Sequence, residues 1–307
     1  MSRKLCITVL LTGLVLGLWQ QLFPVSQDQK LSILERNFRN QLQAISENTD
    51  GVLGLAIKDL NTGQAFFLNE REIFPQASSI KITILLEVLK QAEEGRLRLD
   101  EFLELKPEVK VGGGPILCYL GNPSLKLSIR DLCVLMVVLS DNTATNMLID
   151  RVGMKAINDR LASLGLTQTR LKRKMMDLTA AAEGRENIST PLEMMTLLEK
   201  IWKQNALSEP YRKEFFEILS LPKDSPLQQA VPEGIVVADK PGELEAVRCD
   251  SGLVLLKKHP YLICVMTTYL SLQTDGNALI RKIGQLAFRH FDRLERSSEY
   301  GRIISEK

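Results

Sequence analysis

The chain has 307 residues, of which 45% are apolar, enough to bury a sizeable core, so disorder is excluded as its default state. Thirty-nine basic residues against thirty-seven acidic ones leave a net charge of +2 without a long single-sign block, so no nucleic acid partner is indicated. The two histidines, His259 and His290, stand apart from other candidate catalytic residues, which argues against a Ser-His-Asp triad; His290 is expected on a helix surface.

The first feature along the chain is Arg3 and Lys4 ahead of the apolar run LCITVLLTGLVLGLW. Residues 1–27 read as an export signal or, through 5–23, a short membrane anchor, with no A-x-A cleavage site following. The remainder, 28–307, is therefore expected to work outside the cytoplasm, in a periplasmic or extracellular setting. QKLSILERNFRNQLQAISEN then carries leucine and isoleucine at helical spacing. GVLGLAIKDLNTGQAFFLNE has strand-like runs on both sides of Asn61-Thr62-Gly63, a hairpin pattern.

From Ser78 to about Leu221 nearly every pattern is helical, including SIRDLCVLMVVLS, NTATNMLIDRV, MKAINDRLASLG and TPLEMMTLLEKIWKQN, the last with Thr190 as N-cap and Pro191 at the first helical position. Strands return as GIVVADKPGE, VRCDSGLVLLKK and YLICVMTTYL, before a closing helix from about Asp275 to Arg296. Its apolar residues Ile280, Ile283, Leu286, Phe288 and Phe291 are spaced to cover a sheet. The expected fold is α/β (α+β): one antiparallel sheet built from both chain ends, about 50–72 and 234–270, flanked by helices. An all-helical lobe, about 78–224, is inserted between the two halves.

Five cysteines without a C-x-x-C pair lack zinc-site spacing and read as small buried hydrophobes. A Cys118–Cys133 disulfide stays open if the compartment is oxidising. Neither a metal nor an organic cofactor is implied, and the chain is expected to act as a monomer.

The chemistry-bearing residues begin in FPQASSIKITILLEVLK, where Lys81 lies one helical turn from Ser78 at the threshold of a helix patterned for burial. A serine is a poor nucleophile unless a neighbour takes its proton, and a lysine can do so once burial or a like charge lowers its pKa. S-x-x-K arises by chance roughly once in a chain of this length. It recurs at Ser220 and Lys223, where Pro222 spoils the helix. More telling is Ser140-Asp141-Asn142, at the junction of two helical runs, even though all three residue types also serve as helix caps. Lys240-Pro241-Gly242 follows at the end of a strand.

In this order, Ser78-x-x-Lys81, Ser140-Asp141-Asn142 and Lys240-x-Gly242 resemble the three signatures of class A β-lactamases and penicillin-binding proteins. The resemblance runs from about Gln29 to the C-terminus and implies acyl transfer. Ser78 would be acylated with Lys81 as general base. Ser140, paired with Lys240, would protonate the leaving nitrogen, and Asn142 would orient Lys81 and the substrate amide. Gly242 lies on the substrate strand, and the backbone N–H groups of Ser78 and Glu243 would form the oxyanion hole. The substrate would be a small β-lactam or acyl-peptide.

Two departures from the family pattern change what this implies. Pro241 stands where the family has threonine or serine, removing a hydroxyl and an N–H from a cleft-facing strand edge. In RLKRKMMDLTAAAEGREN, alignment puts Met175 at the position of the glutamate that activates water for acyl release, and Thr179 at the asparagine four residues on. A thioether is not a base; Asp177, with Glu183 and Glu186 behind it, is the substitute considered. The alternatives to a β-lactamase are a cell-wall DD-peptidase or esterase, and a non-catalytic wall-binding protein on the same fold. The orientation of Arg248 is not legible in the sequence.

Overall fold

A computed structural model describes residues 26–121, 124–298 and 300–303, so the apolar segment expected at 5–23 lies outside the described residues. Among the described residues no helix is long and apolar enough to cross a membrane. Helix α1 (Ser26–Glu47) leads into the hairpin β1 (Val52–Asp59) and β2 (Ala65–Leu68). After β3 (Phe74–Pro75) and a 3-10 turn (Ala77–Ile80) comes the central helix α2 (Lys81–Glu93). The lobe continues with β4 (Phe102–Glu104), β5 (Lys126–Ser128), α3 (Ile129–Val138), α4 (Asn142–Val152), α5 (Met154–Ser163), α6 (Leu178–Ala182), β6 (Ile188–Ser189), α7 (Pro191–Trp202) and α8 (Glu209–Ser220). β7 (Val236–Leu244), β8 (Val247–Leu255), β9 (Tyr261–Thr268) and α9 (Gln273–Arg296) close the chain.

Both chain ends build the one large sheet, in the order β2-β1-β9-β8-β7 with every pair antiparallel, which is the expected architecture. The period of two along its strands separates two cores. On β1, Leu53, Leu55 and Ile57 point to one face, where α1 and α9 cover them with Phe38, Leu42, Ile280, Ile283 and Phe291; Ala56 points to the other. On β9, Tyr261, Ile263 and Val265 share that outer core, while Leu262, Cys264 and Met266 face the helical lobe. Each large apolar side chain fully enclosed in this way stabilises the fold by about 1.5–3 kcal/mol.

α2 runs through the middle of the lobe and is buried on all sides from Lys81 to Leu89. A helix enclosed on every side is normally apolar throughout, so the lysine at its first residue needs a polar reason to be there. Elsewhere in the lobe the helical expectation is incomplete. β3 pairs with β6 and β4 with β5, each over two or three residues, too short to leave a periodic signature.

His290 corrects the surface expectation. Its side chain is buried, stacked on Phe38 at 4.3 Å between centroids and edge-on to Phe66, because α1 covers the face of α9 that carries it. Burial lowers its pKa to about 4. His259 hydrogen-bonds Asp59 at 2.6 Å. Cys118, Cys133, Cys249 and Cys264 are free thiols, the last three buried, so no Cys118–Cys133 bridge is formed.

Candidate active site

The 3-10 turn sets Ser78 at the mouth of the seam between sheet and lobe, and Lys81 begins α2 one turn later. The Lys81 N–H donates back to Ser78 O, a bond three residues long that closes the turn and links the two residues through the backbone. Ala77, just before the serine, has φ of 46°, a left-handed conformation that a non-glycine residue holds only where its surroundings enforce it.

At the junction of α3 and α4 the three residues of the S-D-N triplet divide their tasks. Asp141 caps α4: its Oδ1 accepts from Ala144 N at 2.9 Å, and its Oδ2 accepts from Leu117 N at 2.9 Å. Ser140, with φ of 55°, turns both its oxygens inward. The Lys81 amine donates to Ser140 O at 2.8 Å, to Ser140 Oγ at 3.0 Å and to Asn142 Oδ1 at 3.0 Å. Asn142 Nδ2 donates to Gly113 O at 2.8 Å, so this amide ties the lysine to the loop before β5.

From the sheet, Lys240 Nζ donates to Ser140 Oγ at 3.3 Å and to Pro241 O at 2.9 Å. Ser140 Oγ therefore lies between the two amines. Burial above all, then repulsion by Lys240, holds the Lys81 amine well below the usual lysine range, with Asp141 acting against both. Burial likewise brings Lys240 down to about 8, opposed by Asp239 and Asp250 and assisted by Lys223.

β7 is the free edge of the sheet on this side, and Pro241 sits on it opposite Asp250. A proline costs least on an edge strand, so the pairing with β8 continues through it. Gly242 brings the strand against the Ser78 turn: a Cβ there would lie 2.6 Å from Gln76 O, 2.7 Å from Ser79 N and 3.0 Å from Ser78 N. Only glycine admits that approach, which sets β7 at Gly242 beside the backbone of Ser78 and Ser79. The Glu243 carboxylate itself points outward and pairs with Arg248 at 2.5 Å. The guanidinium of Arg248 also donates to Leu244 O and Val247 O, both at 2.8 Å, which settles its direction.

Ser78, Ser140, Asn142, Lys240, Gly242 and Glu243 all line one cleft of about 640 Å³, a volume suited to a small organic substrate. Met175 and Met176 also line it. Asn146 pins the Met175 backbone, donating to its carbonyl at 3.0 Å and accepting from its N–H at 2.9 Å. Asp177 is placed differently: it is exposed and its carboxylate caps α6 by accepting from Ala180 N at 2.9 Å. The cleft-lining carboxylate of this segment is Glu186, paired with Arg173 at 2.9 Å. Asn277 and Arg281 of α9 line the cleft too. Neither is announced by a local motif. Among the described residues no group of three or more His, Cys, Asp or Glu side chains is arranged to hold a metal ion.

A serine at a strained turn, a buried amine within a turn of it, a second hydroxyl between two amines and a glycine strand edge define the site of an active-serine acyl-transfer fold. The chain belongs to the beta-lactamase enzyme family, whose sequence pattern matches residues 37–291. It is 26% identical over 255 residues to the beta-lactamase PSE-4 of Pseudomonas aeruginosa, covering 80% of this chain and 88% of that protein. An imipenem-hydrolyzing beta-lactamase of Enterobacter cloacae is 27% identical over 239 residues, 75% of this chain and 80% of that one. Among solved structures, PBP-A superposes with a TM-score of 0.76 at 27% identity, over 83% of this chain and 96% of that one. The beta-lactamase of Sphaerobacter thermophilus does so with 0.74 at 30% identity, over 80% and 94%.

Proposed function

We propose that the protein is an exported serine hydrolase of the class A β-lactamase type that acylates on Ser78 and releases the acyl group slowly. The observation that carries this reading is the Lys81 amine, fully buried, held by Ser140 and Asn142, and facing a second cation. An amine stripped of water and set near a like charge is suited to take a proton. In the proposed step the Ser78 hydroxyl attacks a carbonyl carbon as its proton passes to Lys81. The N–H groups of Ser78 and Glu243 bind the oxyanion. The C–N bond then breaks as Ser140 protonates the leaving nitrogen and recovers a proton from its amine neighbours.

β-Lactams and related amides or esters are the proposed substrates. A structure of a PBP-A variant, 27% identical to this chain with a TM-score of 0.75, is an acyl-enzyme complex with penicillin G. Slow release is proposed because Met175 occupies the place expected for the water-activating carboxylate, Asp177 caps a helix instead of lining the cleft, and Glu186, which does line it, is held in an ion pair with Arg173. The same observation favours a second reading, a cell-wall peptidase or esterase. The segment over residues 1–27 is proposed to direct the protein out of the cytoplasm, and the protein to act there as a monomer.

Intact-mass measurement after incubation with benzylpenicillin tests this. A persistent adduct is expected on the wild type and none on Ser78→Ala; rapid hydrolysis without an adduct would contradict slow release. A panel of acyl esters and peptides separates the second reading. If no β-lactam, ester or fluorophosphonate labels Ser78, the protein is a non-catalytic binder.

A further inference from the structure

Behind Lys240, four side chains that the acyl-transfer chemistry does not use are packed together out of water: Lys223, just after α8, Ser225, Asp239 on β7 and Asp250 on β8. The Lys223 side chain is 1% exposed and the two aspartates 0%. Ser225 Oγ lies against Asp239 Oδ2 and 3.0 Å from Asp250 Oδ2. A hydroxyl has one proton and can donate it to one carboxyl only. The second contact is repulsive unless that carboxyl carries a proton and donates it to the serine oxygen.

The surrounding donors decide which carboxyl that is. Asp239 Oδ1 receives Lys223 Nζ at 3.1 Å and Gln228 Nε2 at 3.1 Å, both of which favour an anion. Asp250 has Leu227 N at 3.2 Å, and its Oδ1 is buried with no partner, a costly setting for a charge. Burial, and after it the neighbouring Asp239, pushes the Asp250 carboxyl well above the usual carboxylate range. The titratable groups facing Asp250 are Asp239 and Lys240 on β7, Cys249 on its own strand and Cys264 on β9, and Lys223 after α8 joins the cluster through Asp239.

We propose that Lys223, Ser225, Asp239 and Asp250 form a buried positioning network for Lys240, in which Asp250 is a neutral acid donating through Ser225 to Asp239, and Lys223 holds the remaining negative charge away from Lys240. The consequence is a count of charges. Around Ser140 and Lys240 the buried amines are Lys81, Lys223 and Lys240, and the buried carboxyls are Asp141, Asp239 and Asp250; the other buried carboxylates, Asp59 and Glu87, pair elsewhere, with His259 and with Arg96 and Arg160. With Asp250 protonated, three amines face two carboxylates, and one amine is left without a counter-charge. Lys81, facing Lys240, is the amine that gives up its proton. A neutral Asp250 thus keeps a base available beside Ser78, and Lys223 keeps the Lys240 ammonium loosely held so that it can pass a proton to Ser140. The effect on rate rests on the acylation chemistry proposed above; the protonation state of Asp250 does not.

Carbon-13 NMR of aspartate-labelled full-length protein without substrate tests the protonation state directly. One side-chain carboxyl resonance is expected in its protonated position near neutral pH, and it should vanish in Asp250→Asn. Acylation by benzylpenicillin, followed against pH, tests the network. In Asp250→Asn the basic limb should stay in place, because a neutral acid is exchanged for a neutral amide. In Lys223→Gln the freed charge of Asp239 turns to Lys240, and the limb should move up by about one pH unit. The absence of a protonated aspartate near neutral pH would overturn the proposal, as would a limb that falls in Asp250→Asn or stays fixed in a folded Lys223→Gln. If Lys223→Gln does not fold, the wild-type resonance decides. If the protein acylates with no reagent, the chemistry of Ser78 is refuted while the titration of Asp250 is still read.

Discussion

Lys81 is enclosed at the head of a helix whose other inner residues are largely apolar, yet its amine meets three oxygen atoms. Its proton affinity follows from those surroundings, and so does a prediction for pH. In the proposed chemistry acylation needs Lys81 neutral, a condition favoured as pH rises, and Lys240 charged, a condition lost as pH rises through about 8. The acylation rate should therefore fall above about 8, measured as adduct formation against pH in a buffer series. Met175 gives a second test at this scale. Its backbone is pinned on both sides by Asn146, so exchanging the side chain need not move the loop. Met175→Glu places a carboxylate in the cleft and should shorten the adduct lifetime by about 100-fold. Time-resolved intact mass reads it, and an unchanged lifetime would count against the role assigned to this position.

At the level of elements, local chemistry explains where helices begin. Thr190 Oγ1 accepts from Glu193 N at 3.1 Å and Pro191 occupies the first turn of α7, the arrangement its sequence predicts. Thr190→Ala should cost about 1 kcal/mol in denaturant unfolding and leave the acylation rate unchanged. The S-D-N junction behaves differently. Its middle residue caps α4 as an isolated reading of the sequence expects, but the direction of Ser140 depends on a left-handed φ that the neighbouring helices enforce. The short pair β3–β6 has a similar status: Phe74 and Ser189 are opposite one another although more than a hundred residues separate them, as their numbers show, and neither segment has a pattern long enough to announce the pairing. His290 belongs here as well, since its polar neighbours in sequence suggest solvent while α1 supplies a phenylalanine lid.

Across the whole molecule, the cleft takes its shape from where β7 of the sheet meets the Ser78 turn with almost no spare room. Gly242 is the contact point, and Gly242→Ala drives a methyl group into the backbone at Gln76, Ser78 and Ser79. A shift of about 1 Å between nucleophile and strand can cost about 100-fold in rate. Acylation should drop by that order while circular dichroism stays native; full activity in the alanine variant would mean that β7 does not position the reaction. The sheet from both ends and the inserted lobe were legible in residue order alone, because alternation and helical spacing are properties of neighbouring residues, while Ser78, Lys81, Ser140, Asn142 and Lys240 were singled out by the resemblance of three short motifs to a family's signatures. Tertiary structure decided what those residues can do: the Asn142–Gly113 and Asn146–Met175 contacts, the outward turn of Asp177, the cleft-lining Arg281 and the lowered proton affinity of Lys81 and Lys240. These depend on distance and on exclusion of water between segments far apart in the chain, and no local pattern encodes either.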